Sequence, residues 1–273
     1  MSSTSANLFF ESGGARLRYR DTGRGPAVVF LHGWTLDLEM WDFQAAELGS
    51  SFRIVRLDRR GFGLSSGVPS LRQDVRDVEA LCRQLELEQV SVVGMSQGAR
   101  VALGLAQRGE LRLSCLVLDG TPELDMAGIT SQSSDLPREH YRSVARHDGM
   151  AAFRREWRMH PLARLRTRDR RSQEILASII ERYSGLDLLS AETPDESDSG
   201  SIDVSHLPPL LLLSGEHDLP GRRSFAQQLA AALQQAEYVE IAHAGHLSNL
   251  DNPSAYNAAL SRFLEKHAVT HRR

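Results

Sequence analysis

Cysteine is scarce in this 273-residue chain, lysine almost absent, and no apolar stretch is long. The two cysteines, Cys82 in a helix-like stretch and Cys115 in an apolar run, have neither metal-ligand spacing nor a CxxC partner. That excludes a disulfide scaffold and makes a reducing compartment the expectation. Of 32 basic residues only Lys266 is a lysine, a bias we attribute to the encoding genome and from which we draw no function. Neither sign of charge dominates: 35 acidic residues offset the basic ones, leaving a net charge of -3 and a pI near 6.4. No strong field therefore favours nucleic acid or an anionic membrane as partner. The longest apolar run, Leu207 to Leu213, contains two prolines and is far too short to span a bilayer. The opening MSSTSANLFFESGG lacks the basic start and continuous apolar stretch of a signal peptide. A cytoplasmic location and a small-molecule partner are the expectation.

What is present is alternation. Strand-like runs at Ala15 to Tyr19, Ala27 to Leu31 and Phe52 to Leu57 precede a helical pattern over Leu71 to Leu85, where Val75, Val78, Leu81, Cys82 and Leu85 recur at helical spacing. Strand signals at Val90 to Val93 and Leu113 to Leu118 flank a helix at Ala99 to Gln107. Strands at Pro209 to Leu213 and Tyr238 to Ile241 flank another at Phe225 to Leu233, and Ser254 to His267 closes the chain as a helix. This rhythm predicts an α/β fold with a mostly parallel central sheet flanked by helices. From about Leu124 to Ser205 it breaks: Tyr141 to His147, Met150 to Trp157 and Ser172 to Tyr183 are helical in succession, and AETPDESDSGS then reads as a flexible acidic link. The predicted organisation is a core of residues 1–123 and 206–273 with a helical insertion over 124–205. Its arginines between Arg138 and Arg171 read as a solvated helical surface, with a basic rim attracting acidic substrates as the sharper reading.

Gly94-Met95-Ser96-Gln97-Gly98 fits G-x-S-x-G between a predicted strand and a predicted helix. A serine there sits on a tight turn with its hydroxyl exposed, and the following helix aims backbone N–H groups at negative charge forming beside it. Such a serine needs a base, and the base needs an orienting acid. Asp218 follows one strand and His246 lies in a loop after the next, so the order Ser96, Asp218, His246 matches that of nucleophile-elbow enzymes. His246 would take the serine proton and pass it to the leaving group, while Asp218 would fix its tautomer. Asp119, which ends LVLD at the same sheet edge, is the competing acid. VVFLHGWTLD follows an early strand and offers an oxyanion hole from the backbone N–H groups of Trp34 and Gln97. His32 in that stretch reads as a structural histidine bonded to backbone.

Together with these motifs, HGWTLDLEMWDFQ, RLDRRGFGLSS, GMSQGA, SGEHD and AGHLSNLDNPSAYNAALSRFL resemble the α/β-hydrolase superfamily over nearly the whole chain. The resemblance implies a helical cap for 124–205, a mainly structural turn for Asp58 to Gly63, and no metal or organic cofactor. Ser96 stands where dehalogenases and epoxide hydrolases carry an aspartate, which argues against an alkyl-enzyme ester. The HGGPG-type opening and GGSWG elbow of proline iminopeptidases are absent, as is the SGGPG-type opening of many carbon–carbon bond hydrolases. Hydrolysis of a carboxylic ester or lactone remains, and TLDLEMWDFQ with LDRRGFGLSS is similar to 3-oxoadipate enol-lactonases and related small bacterial esterases.

Two function classes stay open. One is a serine hydrolase forming an acyl-enzyme on Ser96, with acyltransferase or perhydrolase chemistry available to the same triad. The other is a receptor-like, ligand-binding scaffold with little turnover. His243 and His246, with His217 and Asp218 nearby, could be imagined as a zinc site, but helical H-x-x-x-H spacing is missing and the triad already accounts for His246 and Asp218. Trp157, Met150 and Phe153 fit a packed helical interface first and are the candidates to line a substrate pocket. The particular ester or lactone, and whether the chain forms a homo-oligomer, are open.

Overall fold

The computed structural model describes residues 6–121, 136–190 and 202–268. The strands are β1 (Leu8–Ser12), β2 (Ala15–Thr22), β3 (Ala27–Leu31), β4 (Arg53–Leu57), β5 (Gln89–Met95), β6 (Arg112–Asp119), β7 (Leu210–Gly215) and β8 (Ala236–Ile241). They form one sheet in the order β1-β2-β4-β3-β5-β6-β7-β8. Pairing is parallel from β4 through β8, and β2 runs antiparallel to both β1 and β4. The AVVFL of β3 and the LLLLSG of β7 are buried throughout, as a sheet covered on both faces requires. Alternate side chains feed opposite cores: Val28, Phe30, Ile54 and Val93 on one face, Val29, Leu31, Val55 and Val92 on the other.

The helices are α1 (Asp42–Leu48), α2 (Leu71–Gln84), α3 (Gln97–Arg108), α4 (Arg138–His147), α5 (Met150–Trp157), α6 (Arg170–Arg182), α7 (Leu186–Leu189), α8 (Pro220–Ala232), α9 (Ser248–Asp251) and α10 (Pro253–His267). The start of α2 is fixed by the Ser70 hydroxyl, which accepts from the Gln73 N–H at 3.3 Å. Its apolar stripe of Val75, Val78, Leu81 and Cys82 shares one core with α3 and with Phe225 and Leu229 of α8. On the opposite face Leu48 of α1 meets Tyr256, Leu260 and Phe263 of α10.

Helices α4 to α7 lie between β6 and β7 in the chain; the acidic link expected over 191–201 and residues 122–135 lie outside the described residues. The inserted helices bury Tyr141, Phe153, Trp157 and Tyr183 as one aromatic cluster, into which Trp34 of the core inserts with its ring 4.9 Å from that of Trp157. Polar ties accompany the rings. Trp157 Nε1 donates to Thr35 Oγ1 at 2.8 Å, Trp34 Nε1 donates to Asp187 at 2.5 Å, and Arg182 reaches Asp37 at 2.7 Å and Glu39 at 2.6 Å. Among the described residues no helix is long and apolar enough to cross a membrane.

Candidate active site

Between β5 and α3 the chain turns at Ser96 with φ 52° and ψ -113°, a conformation that a side-chain-bearing residue holds only when its surroundings force it. The Ser96 N–H is bonded to the Asp119 carbonyl at 2.8 Å, and its own carbonyl accepts from Ala99 at 2.9 Å. The turn is this tight because the two glycines bring helix and strands together. A Cβ on Gly94 would stand 2.4 Å from the Gly98 carbonyl oxygen, and one on Gly98 2.3 Å from that of Leu31. Gln97 opens α3, where the first backbone N–H groups of a helix have no intrahelical acceptor.

His246, buried in the loop before α9, turns Nδ1 toward Asp218, at 2.9 Å from Oδ2 and 3.1 Å from Oδ1. Burial pushes the Asp218 carboxyl up, but the charge and hydrogen bond of His246, the Arg222 cation and the Leu219 N–H at 2.7 Å outweigh it and hold the group below the usual carboxylate range. Asp119 makes a different set of contacts: its carboxylate accepts from Ser248 Oγ at 3.0 and 3.2 Å. Complete burial raises its pKa far above the ordinary value against that hydrogen bond, and the nearby Asp218 charge adds to the rise.

The HGW loop after β3 is gripped from behind by Arg59. Its Nε donates to the His32 carbonyl at 3.0 Å, and its Nη2 donates to the Gly33 carbonyl at 3.2 Å and to Gln97 Oε1 at 2.6 Å. Its Nη1 pairs with Asp74 of α2 at 2.9 Å. Because C=O and N–H point opposite ways across a trans peptide, holding the Gly33 carbonyl on Arg59 turns the Trp34 N–H away from it. His32 is structural, accepting from the Arg59 N–H at Nε2 (2.9 Å) and placing Nδ1 2.8 Å from the Gly33 carbonyl; burial and the Arg59 charge depress its pKa. Asp58 is likewise an anchor, bound by Arg18 at 2.6 Å and by the N–H groups of Leu38 and Leu64.

Ser96, His246 and Trp34 border one small cavity of about 30 Å³, walled by Leu36, Met95, Trp157 and Leu162. Of the three expected pocket residues Trp157 lines it, whereas Phe153 packs inside the aromatic cluster and Met150 lies against Gly185. Arg222 of α8 also enters the cavity, its Nη1 3.2 Å from Ser96 Oγ and 2.8 Å from the Gly120 carbonyl. Sequence reasoning missed this residue; the available signal is an arginine four positions after Asp218, just behind the proline that opens a helix. The imagined zinc set does not converge: His217 and His243 both face Glu216, at 3.8 and 3.7 Å, while His246 faces Asp218. Among the described residues no three His, Cys, Asp or Glu side chains form a metal-binding group.

A family model described as alpha/beta hydrolase fold matches residues 26–253. The chain is 28% identical to an N-formylmaleamate deformylase of Pseudomonas putida, over 94% of this chain and 95% of that one. Among solved structures it is similar to a thermophilic esterase from Thermogutta terrifontis with malate bound, with a TM-score of 0.77 and 27% identity over 97% of this chain and 100% of the other. It is also similar to the enol-lactonase of Burkholderia xenovorans LB400, with a TM-score of 0.74 and 27% identity over 94% of this chain and 100% of that one.

Proposed function

The chain belongs to the alpha/beta hydrolase family, and from that premise we propose that it is a serine hydrolase of carboxylic esters or lactones working through Ser96, His246 and Asp218. One observation carries the reading. Ser96 is held in a strained turn on the same cavity as a histidine whose Nδ1 is anchored by an acid kept ionised. The Ser96 oxygen attacks the carbonyl carbon and its proton passes to His246. The carbonyl oxygen takes up negative charge facing the N–H groups of Trp34 and Gln97. The tetrahedral species collapses, the leaving oxygen takes the proton from His246, and the acyl group stays on Ser96. A water molecule, deprotonated by His246, then releases the acid. Asp218 stabilises the imidazolium at each proton transfer.

The esterase and enol-lactonase among its relatives act on the bond types this mechanism cleaves. In this reading the insertion over 124–205 is the cap, and Trp157 and Leu162 within it line the cavity. The two unpaired cysteines, Cys82 and Cys115, are in keeping with a cytoplasmic location. The test is turnover of a graded panel of aryl esters and lactones by wild type and Ser96→Ala. The hydrolase reading expects the substitution to lower kcat by about a thousandfold or more. Equal rates in the two proteins would overturn it and turn attention to ligand-induced thermal stabilisation as the sign of a receptor.

A further inference from the structure

One side chain ties the loop of His246 to the inserted helices. Asp251 closes α9, five positions after His246, and is buried at 7% exposure. Its Oδ2 accepts from the N–H of Gly245, the residue directly before His246, at 2.7 Å. Its Oδ1 accepts from the N–H groups of Arg166 and Thr167, both in the insertion, at 2.6 and 2.9 Å. We propose that Asp251 is a positioning residue for the reaction: it sets the backbone that carries His246, and it does so only while residues 166–167 are seated on it. The proposal rests on the serine-hydrolase reading above and adds to it a residue that touches neither substrate nor reacting atoms.

Three observations argue for it. The carboxylate has no task in its own helices: α10 is capped by Asn252, whose Oδ1 accepts from the Ala255 N–H at 3.2 Å, and the donors to Asp251 are all backbone N–H groups outside α9 and α10. Gly245 is fixed from both sides. Its N–H faces Asp251, and its carbonyl packs so closely on the end of β7 that a Cβ on Gly215 would stand 2.0 Å from the oxygen. Asp218 follows that same strand, so the 2.9 Å between His246 Nδ1 and Asp218 Oδ2 depends on how Gly245 sits. The insertion, in turn, is fastened to α9. Ser172 of α6 donates its hydroxyl to the Leu250 carbonyl at 2.9 Å, and the Arg166 stem passes 3.6 Å from where a Cβ on Gly245 would stand. A buried carboxylate stripped of two of its three donors is poorly satisfied. Displacing 166–167 therefore leaves Asp251 with the Gly245 N–H alone and favours its turning to water. The loop keeps two holds on the core side, from the His217 N–H to the Ala244 carbonyl at 2.8 Å and from Ser248 to Asp119 at 3.0 Å, so losing Asp251 shifts His246 without releasing it.

The test uses Asp251→Asn and Asp251→Ala. Asparagine keeps the shape but offers one acceptor oxygen, so it can serve the insertion or Gly245 and not both. With a 4-nitrophenyl ester as substrate, kcat should fall about tenfold in Asp251→Asn and further in Asp251→Ala, with a smaller change in KM, because small displacements of a catalytic group cost rates of that order. A merely structural Asp251 would lower the melting temperature and leave kcat per folded molecule at the wild-type value, which would overturn the proposal. The asparagine variant keeps the test open where the alanine one does not fold. Proton NMR reads the same placement without turnover. The Nδ1 proton of His246, assigned by its loss in His246→Gln, should give a low-field resonance that shifts in Asp251→Asn, and the amide protons of Gly245, Arg166 and Thr167 should exchange faster together. An unmoved imidazole resonance, or faster exchange at 166–167 with Gly245 unchanged, would also overturn it. A resonance that moves with Asp251 in a protein whose wild type cleaves no ester would sink the hydrolase reading and leave the tie standing. Ester turnover with kcat unchanged in both variants would do the reverse.

Discussion

Ser96 holds its hydroxyl in place at the expense of its own backbone. The positive φ with ψ near -113° costs a side-chain-bearing residue about 1–3 kcal/mol, and glycine alone escapes it. Ser96→Gly and Ser96→Ala should both be inactive, yet the glycine variant should be the more stable by about 1 kcal/mol, once the extra freedom glycine gives the unfolded chain is set against relief of strain. Denaturant midpoints of the two proteins measure the difference, and a less stable glycine variant would show that the turn is unstrained. Asp119 is a second residue whose environment has a measurable cost. Its folded pKa lies well above the unfolded value, so between the two the native state keeps a proton that the unfolded state has lost, and stability falls as pH rises through that window. Asp119→Asn keeps an acceptor for the Ser248 hydroxyl and removes the titration. The variant should therefore lose less stability from pH 4 upward, by as much as about 1.4 kcal/mol per pH unit within the window, as midpoints against pH would show. Parallel curves would mean that Asp119 is already ionised in the fold. Ser96, Asp218 and His246 stand out in the sequence because each sits in a short motif in a telling chain order, and the fold brings Asp218 and His246 into contact. Arg222 does not, since its place at the cavity depends on where α8 begins.

Element boundaries explain that miss and others like it. The apolar pattern places the helix after Asp218 from Phe225 onward, but the fold starts α8 at Pro220, and the added first turn is the one that carries Arg222 into the cavity. β1 shows only one buried residue among its five and α1 is seven residues long, so neither gives a periodic signal, although both are secured by tertiary contacts. The central strands and α2, α3 and α10 were legible because their burial is two-faced or strongly one-sided. Helix α3 packs closely on β3 and β5. Gly98→Ala would push a methyl group to 2.3 Å from the Leu31 carbonyl oxygen, which neither backbone can yield without moving the Ser96 turn. We expect a loss of about 1–3 kcal/mol together with a fall in kcat larger than any change in KM. Loss of stability with an unchanged kcat would mean that the helix shifts without disturbing the nucleophile.

At the scale of the whole molecule, the inserted helices and the loop that carries Trp34 are joined by ion pairs and by the aromatic cluster. Arg182 reaches from α6 to Asp37 and Glu39, and Asp37 is itself buried, with a carboxyl pushed up to about 6 by burial and by the Asp58 charge against the pull of Arg182. Arg182→Met leaves that carboxylate without its cap-side partner. Arg182 is partly solvated, so the loss should be modest, about 1–2 kcal/mol at pH 8. The sign of its pH dependence follows from the group left behind. A raised carboxyl pKa means that stability declines as pH climbs through it, and removing Arg182 raises it further, so protonation near pH 5 relieves the variant and its deficit should shrink there. Tryptophan reports the same opening locally. Of the three indoles, Trp34 and Trp157 face each other across the junction and Trp41 lies in the core beside Phe30 and Tyr256. Acrylamide should therefore quench Arg182→Met more strongly than wild type at pH 8 and about equally at pH 5. KM for small esters should rise in step with quenching, because Trp34 and Trp157 are also walls of the cavity that Ser96 borders. Quenching that stays at the wild-type level at both pH values would show that the aromatic cluster alone secures the insertion, with the Arg182 pairs adding nothing to its closure.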